Sequence, residues 1–482
     1  MCLLSDSQSR DLFPIINEAS ICIIGGGVSG LTAAITASDA LLNKPGDFKI
    51  VLLEATPHLG GRVQSDVTDD GFVLDRGFAV FIEEYPAAKK ILDMEALKLG
   101  KFLPGALVKC QGQGKLAKVA DPFRQPEQIL NALIAPVGSI MDKIKVLPLL
   151  YHCISKDLEE IFAEKEISTM EVLSKRWEFS EDMISKFYKP FLEGIYLASL
   201  EEQSSRMFHF VFKMFSEGAA TLPAGGIGAV AAQLANRAAA AGVDTRTSTP
   251  VVAIKQDKDG MFEVDLEGGK HQIKAKAVIL ATDGHVAQRL MSNVDGFESL
   301  ESLPENPQRS VGCLYYGFDS DVPIKEPILI LNGIGEDRGT EAFPVNNVCF
   351  PSVVSPGYAP EGKNLCSVTV LKEAMEMYKG RENDLDVAVR NQLSSWFPEQ
   401  KADILETWDL KKIYYIPNAQ PGQFKGTFPA NVNGGRESDS YRDKKLPKGL
   451  VICGDHMATA TLNGALESGV NAGKKAASRL TE

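Results

Sequence analysis

At 482 residues, with 44% hydrophobic and 24% charged residues, the chain is a folded globular protein long enough for two or more domains. A formal net charge of −12 argues against nucleic acid as a partner and supplies no basic patch for a membrane. Eight cysteines stand without C-x-x-C or zinc-finger spacing, so neither a metal site nor a disulfide framework is expected.

The chain opens on Met1 to Ser20, which lacks an apolar secretory core and is not Arg-rich, so no targeting signal is visible. No run of 18 apolar residues predicts a spanning helix. A cytoplasmic or organellar location, a plastid included, is left open. Ile21-Cys22-Ile23-Ile24 then reads as a short strand buried on both faces, as in a parallel sheet. Gly25, Gly27 and Gly30, with Val28 and Ser29 between them, fit G-x-G-x-x-G and lead into an Ala-rich helix over Leu31 to Leu42. The first glycine suits a tight turn, the second lets backbone approach a pyrophosphate, and the third permits close helix–strand packing. A second strand, Lys49 to Leu53, ends on Glu54, where a carboxylate accepts from a ribose diol and repels a 2′-phosphate. Gly60-Gly61-Arg62 follows, a loop that can hug a ligand and offer a cationic fork to phosphate.

Together, Gly25 to Gly30, Glu54 and Gly60-Gly61-Arg62 resemble the flavin-binding start of the amine oxidase, protoporphyrinogen oxidase and phytoene desaturase superfamily. The fold class expected is α/β. A discontinuous Rossmann-type FAD-binding domain, a parallel sheet with helices, takes 18–84, 217–290 and 445–482. An inserted α+β substrate region comprises a helical cap over 85–216 and a mixed sheet over 291–444.

Further along, Gly71 to Phe78 reads as a strand and turn, and the resemblance implies that Asp75, Arg76 and Gly77 line the isoalloxazine. The competing reading is a turn with a surface ion pair. Helical spacing recurs in Glu127 to Ile134, Met141 to Ile154 and Phe208 to Phe215. The apolar segment Ile129 to Cys153 is either cap core or a surface that dips into lipid to collect its substrate. Leu222-Pro223-Ala224-Gly225-Gly226 returns the chain to the FAD domain through a helix, Ala229 to Ala241, and a strand, Thr249 to Ile254. In that strand Val251 matches the position whose backbone meets adenine. Gly260 to Gly269 reads as a hairpin, and Lys276 to Thr282 as a buried strand returning beside the cofactor. Cys313 to Phe318 and Leu365 to Val370 are strands, Leu385 to Trp396 a helix, and Ile413 to Gln420 a piece of the cavity floor carrying Tyr414 and Tyr415.

The last strand, Gly449 to Cys453, delivers Gly454-Asp455 at its carboxyl end, and Asn463-Gly464-Ala465-Leu466-Glu467-Ser468-Gly469 opens the last helix. The resemblance implies that Asp455 holds the ribityl or pyrophosphate portion, with Gly464 and Ala465 packing on the flavin. Six histidines are dispersed, and His456, next to Asp455, is the one placed to approach the flavin. No cysteine lies near Tyr414-Tyr415 or after Cys453, so FAD is expected to be non-covalent. No G-x-S-x-G, H-E-x-x-H or P-loop pattern offers other chemistry. The function expected is an FAD-dependent oxidoreductase, phytoene desaturase- or carotenoid isomerase-like, acting on an apolar isoprenoid. The resemblance implies desaturation by hydride transfer to flavin N5 with oxygen or a quinone as acceptor, or a redox-neutral isomerisation or hydration. Amine or protoporphyrinogen oxidation is the alternative, and a non-catalytic pigment carrier a further one. Tyr414, Tyr415 and His456 are the candidates for positioning substrate, and peripheral membrane association is expected of such a protein.

Overall fold

The apolar run around Ile21 forms strand β1 (Glu18–Ile24), and the glycine turn after it delivers helix α1 (Val28–Leu41). This computed structural model describes residues 18–120, 124–125, 134–269, 272–298, 308–423, 440–441 and 444–481. The principal elements continue with β2 (Ile50–Leu53), the ribbon β3 (Ser65–Val67) and β4 (Val73–Asp75), then β5 (Gly105–Cys110) and β6 (Ala117–Ala120). Helices α2 (Ile140–Ser155), α3 (Lys189–Tyr196), α4 (Ser205–Glu217) and α5 (Gly228–Ala240) lead to β7 (Asp244–Arg246), β8 (Val251–Gln256), β9 (Phe262–Leu266) and β10 (Gln272–Leu280). Strands β11 (Gln308–Phe318), β12 (Leu329–Gly333), β13 (Val345–Cys349) and β14 (Asn364–Leu371) precede α6 (Glu382–Trp396), β15 (Asp409–Pro421), β16 (Leu450–Ile452) and α7 (Leu462–Thr481).

Two seven-stranded sheets organise the chain. The first runs β7-β2-β1-β10-β9-β8, with β16 also pairing β10. Its parallel part is registered so that Ile24, Leu53, Leu280 and Ile452 stand side by side. The loops after these four residues therefore leave from one edge, where an open α/β sheet binds its ligand. Apolar residues without alternation fill β1 and β2 because helices cover both sheet faces. Helices α1 and α7 meet through glycines: a Cβ on Gly469 would lie 2.4 Å from the Ser29 carbonyl oxygen, and one on Gly473 2.5 Å from that of Ala33. Gly469 and Gly473 thus serve helix–helix packing.

The second sheet runs β15-β11-β14-β13-β12-β5-β6. It corrects the expected domain limits, because β5 and β6 come from within 85–216, the span read as purely helical. Pairing of β12 with β5 is parallel, a contact between residues more than 200 positions apart that no local pattern announces. The hairpin expected over 260–269 is also different. Strand β9 is the middle of a three-stranded meander, antiparallel to both β8 and β10. The helix expected over Glu127 to Ile134 lies outside the described residues except for its last position. Helix α2 is started by a capping box, in which Ser139 Oγ accepts from Asp142 N and Asp142 Oδ2 accepts from Ser139 N.

Candidate active site

At the ligand edge of the first sheet the three motif glycines separate by role. A Cβ on Gly25, whose φ is +111°, would sit 2.5 Å from the Ala281 carbonyl oxygen, and one on Gly30 2.0 Å from that of Gly25. Gly27 is the contrast, since a Cβ there would meet nothing nearer than Gly61 Cα at 3.9 Å. Gly60 N donates to Gly26 O at 2.8 Å, which aligns the Gly60-Gly61 loop beside the first one. Gly27 is also the residue before α1, and no side chain caps that helix end. Its first-turn N–H groups therefore face an open cleft between two glycine loops, a seat for an anion.

Around this cradle stand the polar residues expected from the sequence. Glu54 is buried, its Oε2 accepting from Gly26 N (2.7 Å) and Oε1 from Thr56 N (2.9 Å) and Thr56 Oγ1 (2.8 Å). Thr249 N donates to Glu54 O at 2.8 Å, which brings the start of β8, and so Val251, to the same end of the cleft. Arg62 makes a bidentate pair with Asp455 (2.8 and 2.7 Å), approaches Asp283 at 3.3 Å, and donates to Ala419 O at 3.1 Å. Thr282 precedes Asp283, and Gly454, at φ +146°, precedes Asp455, so the carboxyl ends of β10 and β16 supply both carboxylates. Gly454 N donates to Ser468 Oγ (3.0 Å), tying this turn to α7. Asn463 Oδ1 accepts from Ala87 N at 2.8 Å; a Cβ on Gly464 would lie 2.0 Å from Thr459 O, and Ala465 is buried.

Other candidates are placed differently. Asp75 lies buried beneath the site, its Oδ1 accepting from Ser65 Oγ (2.5 Å) and Ile227 N (2.9 Å) and its Oδ2 from Tyr358 OH (2.6 Å). Burial pushes its carboxyl up to about 6, although all three hydrogen bonds pull the other way. It anchors the Pro223–Gly226 turn. Arg76 points outward and pairs with Asp66 at 2.8 Å, the surface ion pair weighed as its alternative role. Gly77 O accepts from Tyr315 OH, and a Cβ there would meet Ile416 at 3.1 Å. Tyr414 is buried edge-on against Tyr315 and donates to Asp66 Oδ2 at 2.7 Å, while Tyr415 is 49% exposed on the other face of β15. His456 packs its ring beside Gly284 and Gly454, near Asp455.

A cavity of about 570 Å³ lies between the cap helices and the second sheet. Phe78 and Val80, just past Gly77, form one end; Phe187, Phe191, Phe208, Phe212 and Phe215 line the cap side, and Ala106, Val119 and Leu329 the sheet side. Tyr414, Tyr415 and His456 are not in its wall, and the sheet contributes its β5–β6 side, the far edge from β15. Arg124 and Lys143 are the charged side chains among the described lining residues. Arg124 donates to Phe215 O (2.8 Å) and Gly218 O (3.1 Å), and Lys143 to Ala135 O (2.7 Å). Sequence reasoning missed both cations, since neither belongs to a motif. The helical spacing of Phe208, Phe212 and Phe215 and the apolar segment Ile129 to Cys153, which supplies Ile144, Leu147 and Leu150, were the signals of the wall.

One further cluster, His152, Glu164 and His209, has the composition of a metal triad. Its carboxylate is already engaged by Lys156 (2.5 Å) and Arg176 (3.0 Å). Trp177 Nε1 donates to His209 Nε2 (3.4 Å), leaving the His209 proton on Nδ1, 3.2 Å from Glu164. Burial lowers both histidines, His152 to about 4, so neutral rings stand beside a carboxylate whose charge the two cations balance. The arrangement clamps α2 to α4.

A family model for flavin-containing amine oxidoreductases matches residues 28–480, and the chain belongs to that family. Its cofactor is accordingly FAD, which the cleft between Gly27 and Gly61 fits because backbone alone borders the space a pyrophosphate needs. Among individual relatives, the coproporphyrinogen III oxidase of Bacillus subtilis is 35% identical over 72 residues, 15% of each chain. That of Propionibacterium freudenreichii subsp. freudenreichii is 24% identical over 196 residues, 40% of this chain and 34% of the relative. The similarity thus spans about a third or less of these curated relatives. The crystal structure of a protein assigned as a protoporphyrinogen oxidase, from Exiguobacterium sp. 255-15, superposes with a TM-score of 0.66 at 18% identity, covering 96% of this chain and 99% of the other. The chain has the fold of this family.

Proposed function

We propose that the protein oxidises an apolar substrate bearing carboxylate groups, of the porphyrinogen class, inside the cavity beside Gly77. The observation that carries this reading is kinship to the two coproporphyrinogen III oxidases. The largely apolar wall agrees with it, because it suits a hydrophobic ring better than a small charged amine. The carotenoid-like substrate expected from the sequence has no comparable support.

FAD, when bound, supplies a two-electron acceptor. The chain's own residues would hold it: the Gly27 and Gly61 backbones would border the pyrophosphate and Glu54 the ribose, while the Arg62–Asp455 ion pair and the α7 end lie beyond. The apolar wall excludes water from the reacting carbon. Non-covalent attachment of FAD and return of electrons to oxygen or a quinone belong to this proposal. Acid precipitation of the protein is expected to leave the yellow chromophore in the supernatant.

Anaerobic mixing of the FAD-loaded protein with coproporphyrinogen III, protoporphyrinogen IX, a carotenoid precursor and a primary amine tests the reading. A porphyrinogen is expected to bleach the flavin's visible band and yield a fluorescent porphyrin. Bleaching by the amine alone, or product from the carotenoid alone, would overturn it.

A further inference from the structure

We infer that α2 is a lipid-docking helix that seats the cavity mouth on a bilayer surface. Seven of the fifteen exposed large apolar side chains among the described residues fall between Ile134 and Ile154. Six of them, Ile140, Met141, Ile144, Leu147, Tyr151 and Ile154, recur at three- and four-residue spacing along one face of α2. The opposite face carries Leu149 and Cys153, both fully buried. Exposed apolar residues elsewhere, such as Leu42, Val252 and Phe343, stand singly on different elements, which is ordinary for a globular surface.

The occupant is a bilayer rather than a second protein for three reasons. Ile144 and Leu147 belong both to the exposed stripe and to the cavity wall, so the stripe runs into the cavity. A protein seated there would cover that wall, whereas acyl chains would extend it. The helix also presents little charge beside the stripe: Asp142 is buried under hydrogen bonds from Ser139 and Ser180, and the Lys143 and Lys145 ammonium groups donate to the carbonyls of Ala135 and Glu178. Tyr151, 70% exposed, joins an apolar ring to a polar hydroxyl, the character of a side chain that sits at headgroup level. Finally, sixteen residues make a helix about 24 Å long, too short to span a bilayer but suited to lie in its interface. No helix among the described residues is long and apolar enough to cross.

This inference rests on the cavity and the stripe, not on the porphyrinogen reading, and its test uses no substrate. The FAD-loaded full chain is floated with vesicles of phosphatidylcholine alone and of equal phosphatidylcholine and phosphatidylglycerol. Wild type is expected to float with both. A double variant, Met141→Glu with Tyr151→Glu, changes exposed residues outside the cavity wall. It is expected to keep its flavin spectrum and melting temperature while its floated fraction falls about tenfold or more. Failure of wild type to float with either vesicle, or flotation of the double variant equal to wild type, would overturn the inference. So would a wild-type dimer that the double variant converts to monomer without any vesicle binding, since the stripe would then be a self-interface. Turnover tests against porphyrinogens can fail with flotation intact, so the two proposals fall separately.

Discussion

The FAD cleft and the neighbouring cavity are both built to hold a ligand, yet they are specified in opposite ways. In the cleft single carbon atoms decide. Gly25, Gly30, Gly469 and Gly473 each leave no room for a Cβ, and Gly27 leaves room only for what binds there. The cavity is walled by side chains from cap helices and sheet strands, where volume matters more than any one atom. A ligand held by backbone demands exact chain approach, which writes itself into glycine spacing. A ligand held by side chains leaves its wall free to be met by many combinations.

That contrast is broken most sharply at two glycines three residues apart. Gly30→Val places atoms on the Gly25 carbonyl, which cannot retreat without opening the β1–α1 turn, and is expected to destabilise the apo-protein by more than about 3 kcal/mol. Gly27→Val should leave the apo-protein's urea midpoint unchanged and weaken FAD binding about a hundredfold or more, near 3 kcal/mol. Equal losses of fold in the two variants would show that Gly27 is a packing glycine too.

Asp75 joins the two regions, linking β4 to the turn before α5 and to Tyr358. Burial raises its pKa from 3.8 to about 6, so the folded state keeps this proton to a higher pH than the unfolded chain. Its contribution is complete below about pH 4 and is lost as pH rises through 6, about 3 kcal/mol in all. Asp75→Asn should remove that slope, gaining on wild type between pH 4 and 7 in parallel denaturation series. Parallel curves would show that Asp75 titrates normally.

In the cavity, Phe212→Leu keeps an apolar wall and should cost about 1 kcal/mol, with FAD affinity unchanged and only KM altered. Loss of flavin from this variant would mean that the cavity wall shapes the cleft. The smallest effect belongs to Arg76→Ala. Its ion pair with Asp66 is partly exposed, so less than about 1 kcal/mol of stability and no change in the flavin spectrum are expected. A shifted spectrum would restore Arg76 to the isoalloxazine environment that the family resemblance implied.

What the sequence determined by itself is the cofactor end: β1, the glycine turn, Glu54, the Gly60-Gly61-Arg62 loop and the Gly454-Asp455 turn are legible because each is a local answer to close backbone approach or to a fixed charge. The tertiary structure decided the rest. Alternation in Tyr414-Tyr415 announces one buried and one exposed ring but not which, and the answer, Tyr414 bound to Asp66, came from strand pairing. Asp75 reads like a site residue, yet Ser65, Ile227 and Tyr358 bury it beneath the site. Arg124 reaches the cavity from the segment after β6, and Lys143 from α2, which packs on α4. Such contacts depend on chain segments far apart in sequence, and side-chain periodicity carries no information about which distant surface an element will meet.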